Sequence, residues 1–360
     1  MGISLSLCNT FPMNDGYMHR CLELAQMARG HTGINPMVGA VLVRDGKIIA
    51  EAFHEEFGGL HAEALLIKKC VQKIRQEDRL YVNLEPCVHI EKKTPPCTEA
   101  IIRSGIKHVV IGMLDPNPLV SGKGIEELRN GGIEVIGPVE QARCEWFNRG
   151  FVSVLTKQRP WITLKKAQNA KGHIAKPDGS KMKITDARQD AWSHEFLRAK
   201  HDAILVGVGT VISDNPLLTC RIDPSTDSTG SPQASSGGKW KMENFQPLRI
   251  VLDPDLRIPL SAKIVNGEIG KGTMIVRKGA EDSAESSEKV KELQDRGVHI
   301  VRIPMNAGVF DMEALLCVLT TPTVDFYGIT SILVEGGKTT WDAFSKGNLV
   351  DCEVSLMGRP

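Results

Sequence analysis

The stretch PCVHIEKKTPPC (Pro86–Cys97) holds two cysteines, and a proline precedes each of them. Upstream, His61-Ala62-Glu63 stands at the predicted start of a helix, and a short β-rich run separates it from Cys87. One imidazole and two thiols supply three ligands, and three protein ligands with one open position are typical of a catalytic zinc site. The pattern therefore predicts Zn2+ bound by His61, Cys87 and Cys97 within an α/β fold.

Glu63 follows His61 by two residues and points elsewhere around the helix, so we expect it to move protons rather than bind the metal. The order H-x-E, then P-C and a second cysteine, resembles zinc-dependent nucleobase deaminases, in which the glutamate is the general acid/base. That pattern usually has two residues between the cysteines, whereas nine lie between Cys87 and Cys97 here. A structural zinc site would need a fourth ligand, and His89 is the nearest candidate, but we favour a substrate contact for it.

Composition excludes several classes of protein. The chain has 360 residues, a net charge of +1 and 5% aromatic residues, which argues against a nucleic-acid-editing deaminase. No apolar run approaches the roughly 20 residues of a membrane span. The first 17 residues lack a basic segment ahead of an apolar one, so we expect no secretory leader. The nine cysteines are an odd number, which is typical of a reducing cytoplasm.

The pattern along the chain predicts two α/β domains. Two apolar runs flank Asp45-Gly46, which is a strong hairpin signal, and alternating helices and strands follow. The pattern changes near residue 147, and a second alternating series begins with the strand Ile162–Lys166. We therefore predict a zinc-dependent pyrimidine deaminase domain over residues 1–146 and a second domain over 147–360. Residues 223–238 are rich in Ser, Thr, Gly, Pro and Asp and read as a surface insertion.

Several longer stretches resemble one family, the bifunctional riboflavin-biosynthesis deaminase–reductases. The resemblance covers roughly residues 17–356 and is carried by NPMVGAVLV from Asn35, HAE from His61, DPNPLVSGKGIEELRNGGIEV from Asp115, RPWITLKKA from Arg159, ILVGVGTVISDNPLLTCR from Ile204, PLRIVLD from Pro247 and ILVEGG from Ile332. It implies an N-terminal cytidine-deaminase-like three-layer αβα domain and a C-terminal dihydrofolate-reductase-like α/β domain. It also implies a homodimer formed through the reductase half.

The resemblance implies two reactions. The first half would remove the 2-amino group of 2,5-diamino-6-ribosylamino-4(3H)-pyrimidinone 5′-phosphate as a zinc hydrolase. The second half would act as an oxidoreductase and use NADPH to reduce the ribosyl group to ribityl. Residues of the stretch from Ile204 and of VEGG would lie near the cofactor.

The resemblance also assigns site residues. In the deaminase half, Asn35 and His54 would line the pyrimidine pocket, and the ribose and phosphate would meet His89, Lys93, Asp115 and Asn117. In the reductase half, the residues facing NADPH would be Ala167, Lys183, Thr210, Asp214 and Gly337. Those facing the substrate would be Arg198, Leu218, Arg221 and Glu335, where the arginines suit a phosphate.

The chain departs from the family at four places. It reads Asn169-Ala170-Lys171-Gly172 where the family usually reads Ser-Leu-Asp-Gly, and Lys183 where the family has Trp. The family usually continues through another strand after VSLMGRP, and its inter-cysteine loop is one residue shorter, which leaves open whether Lys92 or Lys93 meets the phosphate. The alternatives are a deaminase with a degenerate reductase domain, a nucleic-acid or nucleoside deaminase, and a non-catalytic zinc scaffold.

Overall fold

The computed structural model describes residues 16–88, 95–118, 120–169, 172–173, 184–221, 245–279 and 284–358. These residues form two compact units. One comprises residues up to 159 together with 322–328, and the other comprises residues 160–321 and those from 329 onward. The boundary expected between residues 146 and 147 stays a prediction.

The first unit is built on a five-stranded sheet. Its elements are α1 (Gly16–Gln26), β1 (Gly39–Arg44), β2 (Lys47–Phe53), α2 (Ala62–Lys69), β3 (Arg79–Val82), α3 (Cys97–Ser104), β4 (His108–Ile111), α4 (Lys123–Asn130), β5 (Glu134–Ile136), α5 (Gln141–Phe147) and α6 (Arg149–Lys157). The strand order is β2-β1-β3-β4-β5. β1 runs antiparallel to β2 and β3, whereas β3, β4 and β5 are mutually parallel.

The hairpin between β1 and β2 turns where the sequence predicts it. Asp45 and Gly46 both have positive φ, 48° and 73°, and two successive residues of this kind match the right-handed twist of a hairpin. At the other end of β1, a Cβ on Gly39 would lie 2.1 Å from the carbonyl oxygen of Cys21. Glycine at this position therefore lets α1 pack directly against the sheet.

The second unit is built on a seven-stranded sheet whose described strand pairs are all parallel. Its elements are β6 (Trp161–Gln168), α7 (Ala187–Phe196), β7 (Ala203–Gly207), α8 (Val208–Asp214), β8 (Leu248–Leu252), α9 (Gly267–Gly270), β9 (Thr273–Lys278), α10 (Ala284–Asp295), β10 (His299–Ile303), β11 (Met305–Asn306), β12 (Val309–Phe310), α11 (Met312–Thr320), β13 (Ser331–Val334), α12 (Lys338–Lys346) and β14 (Cys352–Met357). The strand order is β10-β9-β8-β7-β13-β6-β14. The short β11–β12 pair forms a separate ribbon.

The order of this sheet determines where a ligand can bind. After β7 the chain adds β8, β9 and β10 on one side of β7. It then returns as β13 on the other side, between β7 and β6. Ligands in open parallel sheets bind beyond the carboxyl ends of the strands at such a reversal. The predicted cofactor and substrate residues after β7 and β13 occupy this edge.

Buried apolar runs explain the central strands. All four residues of Ser331–Val334 are buried, as are Ala203–Val206, and a strand covered on both faces needs such continuous runs. The α/β class is thus confirmed, and the helix expected after VEGG is found as α12, whereas α5 and α6 are helices that the sequence pattern did not reveal. No helix among the described residues combines the length and apolarity needed to cross a bilayer.

Candidate active sites

The two cysteines and the histidine of the predicted metal site lie together in the first unit. His61 precedes α2 as its N-cap residue, Cys97 is the first residue of α3, and Cys87 follows β3. The Nδ1 atom of His61 lies 3.4 Å from the Sγ of Cys87 and 3.3 Å from that of Cys97. The three donor atoms lie within 4.8 Å of one another.

This donor set fits tetrahedral zinc. Zn–S and Zn–N bonds of about 2.3 Å and 2.0 Å hold a nitrogen and a sulfur roughly 3.5 Å apart. The hydrogen bond from Cys97, together with His61, lowers the pKa of the Cys87 thiol to about 3. That same bond and burial raise the pKa of Cys97 well above its ordinary value. The contact between the two thiols thus favours the thiolate form of Cys87, which is the form that binds a metal.

Glu63 is buried in the first turn of α2, beside this cluster. Its carboxyl interacts with the Cys97 thiol, and burial raises the pKa of Glu63 above its ordinary value. A raised pKa suits a carboxyl group that both takes up and releases a proton near neutral pH.

Asn35 and His54 lie next to the cluster. The His54 ring is buried and stands edge-on to the ring of His61, with a centroid distance of 5.6 Å. His54 Nδ1 lies 3.0 Å from the carbonyl oxygen of Leu60, which can only accept, so Nδ1 carries the proton and Nε2 is the acceptor. That Nε2 faces Asn35 Nδ2 at 3.5 Å. A donor amide and an acceptor imidazole therefore line one wall beside the metal ligands.

Glu85 was not predicted from the sequence, yet it organises the loop that carries Asp115 and Asn117. Its buried carboxylate accepts hydrogen bonds from four backbone N–H groups, those of Asp115 (3.1 Å), Gly122 (3.0 Å), Gly124 (2.8 Å) and Ile125 (3.3 Å). Within the loop, Asp115 Oδ1 accepts from the Asn117 N–H at 2.9 Å. A carboxylate one residue before Pro86-Cys87 thus connects the metal segment to the predicted ribose-binding loop.

Two buried asparagines were also missed. Asn83 and Asn148 both hold the backbone of Met37, two residues after Asn35: Asn148 accepts from its N–H at 3.0 Å, and both amides donate to its carbonyl, at 3.1 and 3.0 Å. Nothing near Asn148 in sequence signals this role, because its partner is 111 residues away. Of the other predicted deaminase residues, His89 and Lys93 lie outside the described residues.

In the second unit, two predicted substrate residues, Arg198 and Glu335, form an ion pair. Arg198 donates two hydrogen bonds to the carboxylate of Glu335, at 2.7 and 2.6 Å, and a third to the Thr219 carbonyl at 2.9 Å. Although burial favours the neutral acid, the charges of Arg198 and Lys165 lower the pKa of Glu335 to about 2. The Thr219 carbonyl belongs to the segment from Leu218 to Arg221, and Leu218 has a φ of 50°.

The predicted cofactor residues lie partly at the edge of β7 and β13. A Cβ on Gly336 would lie 2.9 Å from Thr210 Oγ1, and Gly337 has a φ of 72° that favours glycine. Gly336 is buried and Gly337 is exposed at the start of α12, where an anionic group of a dinucleotide would fit. Asp214 ends α8 and Ala167 lies in β6, whereas Lys171 and Lys183 lie outside the described residues.

Comparisons with known proteins agree with both halves. Residues 13–113 match the cytidine and deoxycytidylate deaminase zinc-binding region, and residues 160–360 match the RibD C-terminal domain. The riboflavin biosynthesis protein RibD of Aquifex aeolicus (strain VF5) is 40% identical over 94% of this chain and 85% of its own length. The protein of the same name from Escherichia coli (strain K12) is 35% identical over 93% and 84%.

Solved structures resemble the whole chain. RibD of Acinetobacter baumannii is 32% identical, covers 96% of this chain and 86% of its own, and superposes with a TM-score of 0.74. A diaminohydroxyphosphoribosylaminopyrimidine deaminase/5-amino-6-(5-phosphoribosylamino)uracil reductase of Thermotoga maritima is 35% identical, with coverages of 95% and 85% and a TM-score of 0.72. These matches confirm the cytidine-deaminase-like and dihydrofolate-reductase-like folds expected from the sequence. The chain belongs to the RibD family, the bifunctional enzymes of riboflavin biosynthesis in which a deaminase half precedes a reductase half.

Proposed function

We propose that this enzyme deaminates 2,5-diamino-6-ribosylamino-4(3H)-pyrimidinone 5′-phosphate and then reduces the ribosyl group of the product to ribityl with NADPH. The observation that carries the first step is the convergence of one imidazole nitrogen and two thiol sulfurs beside a buried carboxyl. The second step is supported by the match of residues 160–360 to the RibD C-terminal domain.

In the deaminase site, His61, Cys87 and Cys97 would hold Zn2+ and Glu63 would be the catalytic residue. Bound zinc supplies a water whose pKa is lowered to about 7. Glu63 would take one proton from the water that attacks the ring carbon bearing the amino group and pass it to the adjacent ring nitrogen. It would then carry the proton of the added hydroxyl group to the amino nitrogen. The C–N bond then breaks, ammonia leaves and a carbonyl remains.

The pocket residues divide the substrate between base and phosphate. Asn35 donates and His54 accepts, which suits the alternating polar edge of a pyrimidine. Asp115 and Asn117, on the loop held by Glu85, would meet the ribose, together with His89. Lys93 or its neighbour would supply the cation that a phosphate needs.

In the reductase site, bound NADPH would supply the hydride that the sugar carbon needs, and a proton from solvent would complete the alcohol. Thr210, Asp214 and Gly337 would face the cofactor, together with Ala167 and Lys183. The substrate would lie against the paired Arg198 and Glu335, with Leu218 and Arg221 alongside.

We further propose a cytoplasmic homodimer. The eight described cysteines are all free thiols, which fits a reducing compartment. Light scattering of the purified protein tests the dimer, for which the expected mass is twice 39.4 kDa.

Ammonia release tests the first step. Glu63→Gln should keep one bound zinc and lose ammonia release, because an amide cannot accept and return the proton. The matched control is Glu77→Gln, because Glu77 is exposed and its ion pair with Arg75, at 3.6 Å, lies at the surface. Ammonia release by the Glu63→Gln variant at the wild-type rate would contradict the role given to Glu63.

NADPH oxidation tests the second step and separates it from the alternative of a degenerate reductase. The purified chain is given the already deaminated product, so that turnover does not depend on the first site. Oxidation that requires this product supports the bifunctional proposal, whereas ammonia release without any NADPH oxidation favours the deaminase-only alternative.

A further inference from the structure

His194 is a buried histidine of α7 that lies between two donors. Its Nδ1 faces the backbone N–H of Arg221 at 3.0 Å, and its Nε2 faces the Nη2 of the same residue's guanidinium at 3.1 Å. Both partners can only donate. A neutral imidazole has one donor and one acceptor nitrogen, so either tautomer leaves one of the two contacts donor to donor.

Protonation does not remove the conflict, because an imidazolium would face both partners as a donor. Burial and the positive charges of Arg198 and Arg221 lower the pKa of His194 to about 4, against the opposing effect of Glu335 and Asp190. His194 is therefore neutral at pH 7, with a single N–H.

The fixed backbone of residues 219–221 decides which nitrogen carries that proton. Arg198 donates to the Thr219 carbonyl, while Gln246 accepts from the Cys220 N–H and donates to its carbonyl, both at 2.9 Å. The Cys220 thiol also donates to the His194 carbonyl at 3.4 Å. The Arg221 N–H is thus held against Nδ1, which accepts, and the proton resides on Nε2.

The two donor nitrogens, His194 Nε2 and Arg221 Nη2, then face each other at 3.1 Å. The charge of Arg198 is balanced by Glu335, whereas no carboxylate of the described residues forms an ion pair with the exposed guanidinium of Arg221. The flexible Arg221 side chain can move to admit an acceptor. An anion with several oxygens would satisfy both donors and balance the charge.

We propose that His194, as its Nε2–H tautomer, and Arg221 together bind a phosphate monoester at the reductase site. The inference rests on the proposed function, which supplies two such groups, the 5′-phosphate of the substrate and the 2′-phosphate of NADPH. His194 then binds substrate or cofactor directly, a role that neither its sequence context nor the resemblance assigns to it.

The test measures the dissociation constants of ribose 5-phosphate, NADP+ and NAD+ for the full-length protein by calorimetry. His194→Asn keeps an acceptor for the Arg221 N–H but lacks the Nε2 donor, whereas His194→Gln places an amide N–H near the Nε2 position. We expect the asparagine variant to weaken ribose 5-phosphate binding about tenfold or more, the factor of a hydrogen bond to a charged group. The glutamine variant should bind within about threefold of wild type.

Arg221→Gln, a change at an exposed side chain, should weaken binding similarly. The control Arg188→Gln, at an exposed residue of α7, should not weaken it. Weakened NADP+ binding with unchanged NAD+ and ribose 5-phosphate binding would identify the 2′-phosphate as the ligand and support the same pair of donors. Nitrogen-15 spectra of the imidazole should show the Nε2–H tautomer.

Three results would overturn the inference: no ribose 5-phosphate or 2′-phosphate-dependent binding by the wild type, unchanged constants in the asparagine variant, or the Nδ1–H tautomer. If the wild type does not oxidise NADPH but its phosphate binding still depends on His194, only the proposed reductase reaction is refuted. The two failures are therefore distinguishable.

Discussion

Replacing Glu85 by glutamine should destabilise the deaminase unit and weaken its substrate binding. The carboxylate accepts four backbone hydrogen bonds, two on each oxygen. A glutamine amide offers one oxygen, so it keeps two of these bonds and turns an NH2 group toward the other two N–H donors. The variant removes charge and acceptors but hardly changes side-chain volume.

The expected magnitude follows from the two lost bonds. A hydrogen bond to a charged group contributes about 1.5–3 kcal/mol, so the loss amounts to about 3–6 kcal/mol. That is a large part of a typical stability of about 5–15 kcal/mol, and for a unit of this size it lowers the melting temperature by roughly 6–24 °C. We also expect KM for deamination to rise, because the loop carrying Asp115 and Asn117 loses its anchor.

The assay follows unfolding of the zinc-loaded protein in guanidinium chloride, with zinc release to a chromogenic chelator reporting on the deaminase unit. Glu77→Gln serves as the control, since its exposed pair with Arg75 should contribute no more than about 1 kcal/mol. A free energy of unfolding for Glu85→Gln within about 0.5 kcal/mol of the control would refute the claim that these four bonds hold the loop.

Three further results are expected. Because the pKa of Glu335 lies below its unfolded value, its ionised form stabilises the fold above about pH 4.5, and this contribution of about 3 kcal/mol is lost as pH falls toward 2. Urea unfolding at successive pH values should therefore show the difference between wild type and Glu335→Gln shrinking in that window, and a constant difference would contradict the assignment. Gly336→Ala should weaken NADP+ binding about tenfold because its Cβ would press on Thr210, whereas Gly279→Ala, with open space around it, should not; equal constants in a fluorescence titration would count against the cofactor edge. Chelating zinc should abolish ammonia release, reversibly on re-addition, while NADPH oxidation with deaminated substrate continues; ammonia release by metal-free protein would exclude the metal mechanism.

The metal cluster could be predicted from the sequence because each ligand stands in a short segment whose structure is locally determined. His61 precedes the helical run of α2, Cys87 follows the β-rich run of β3, and Cys97 opens α3. The hairpin at Asp45-Gly46 was predictable for the same reason, since two residues with positive φ favour this pair.

The supporting residues could not be predicted, because their partners are far away in the chain. Asn148 holds Met37 across 111 residues, and Glu85 holds Gly124 across 39. The helices on either side of Asn148 gave no clear sequence signal, because α6 contains the β-branched Val152 and Val154, which are typical of strands. Packing of Phe151 and Val152 against the core of the first unit outweighs that preference.

The nine-residue separation of the cysteines is compatible with a tight metal site because the two ends of the loop are joined independently of its length. The N–H and the hydroxyl of Thr98 both donate to the carbonyl oxygen of Cys87, each at 3.3 Å. Cys87 is anchored after β3 and Cys97 in the first turn of α3, so the sulfur positions depend on the sheet and helix rather than on the intervening residues. The segment from Val88 to Pro96 can therefore lengthen without disturbing the ligand distances. This separation of roles makes the metal site compatible with our proposal that residues between the two cysteines meet the phosphorylated substrate.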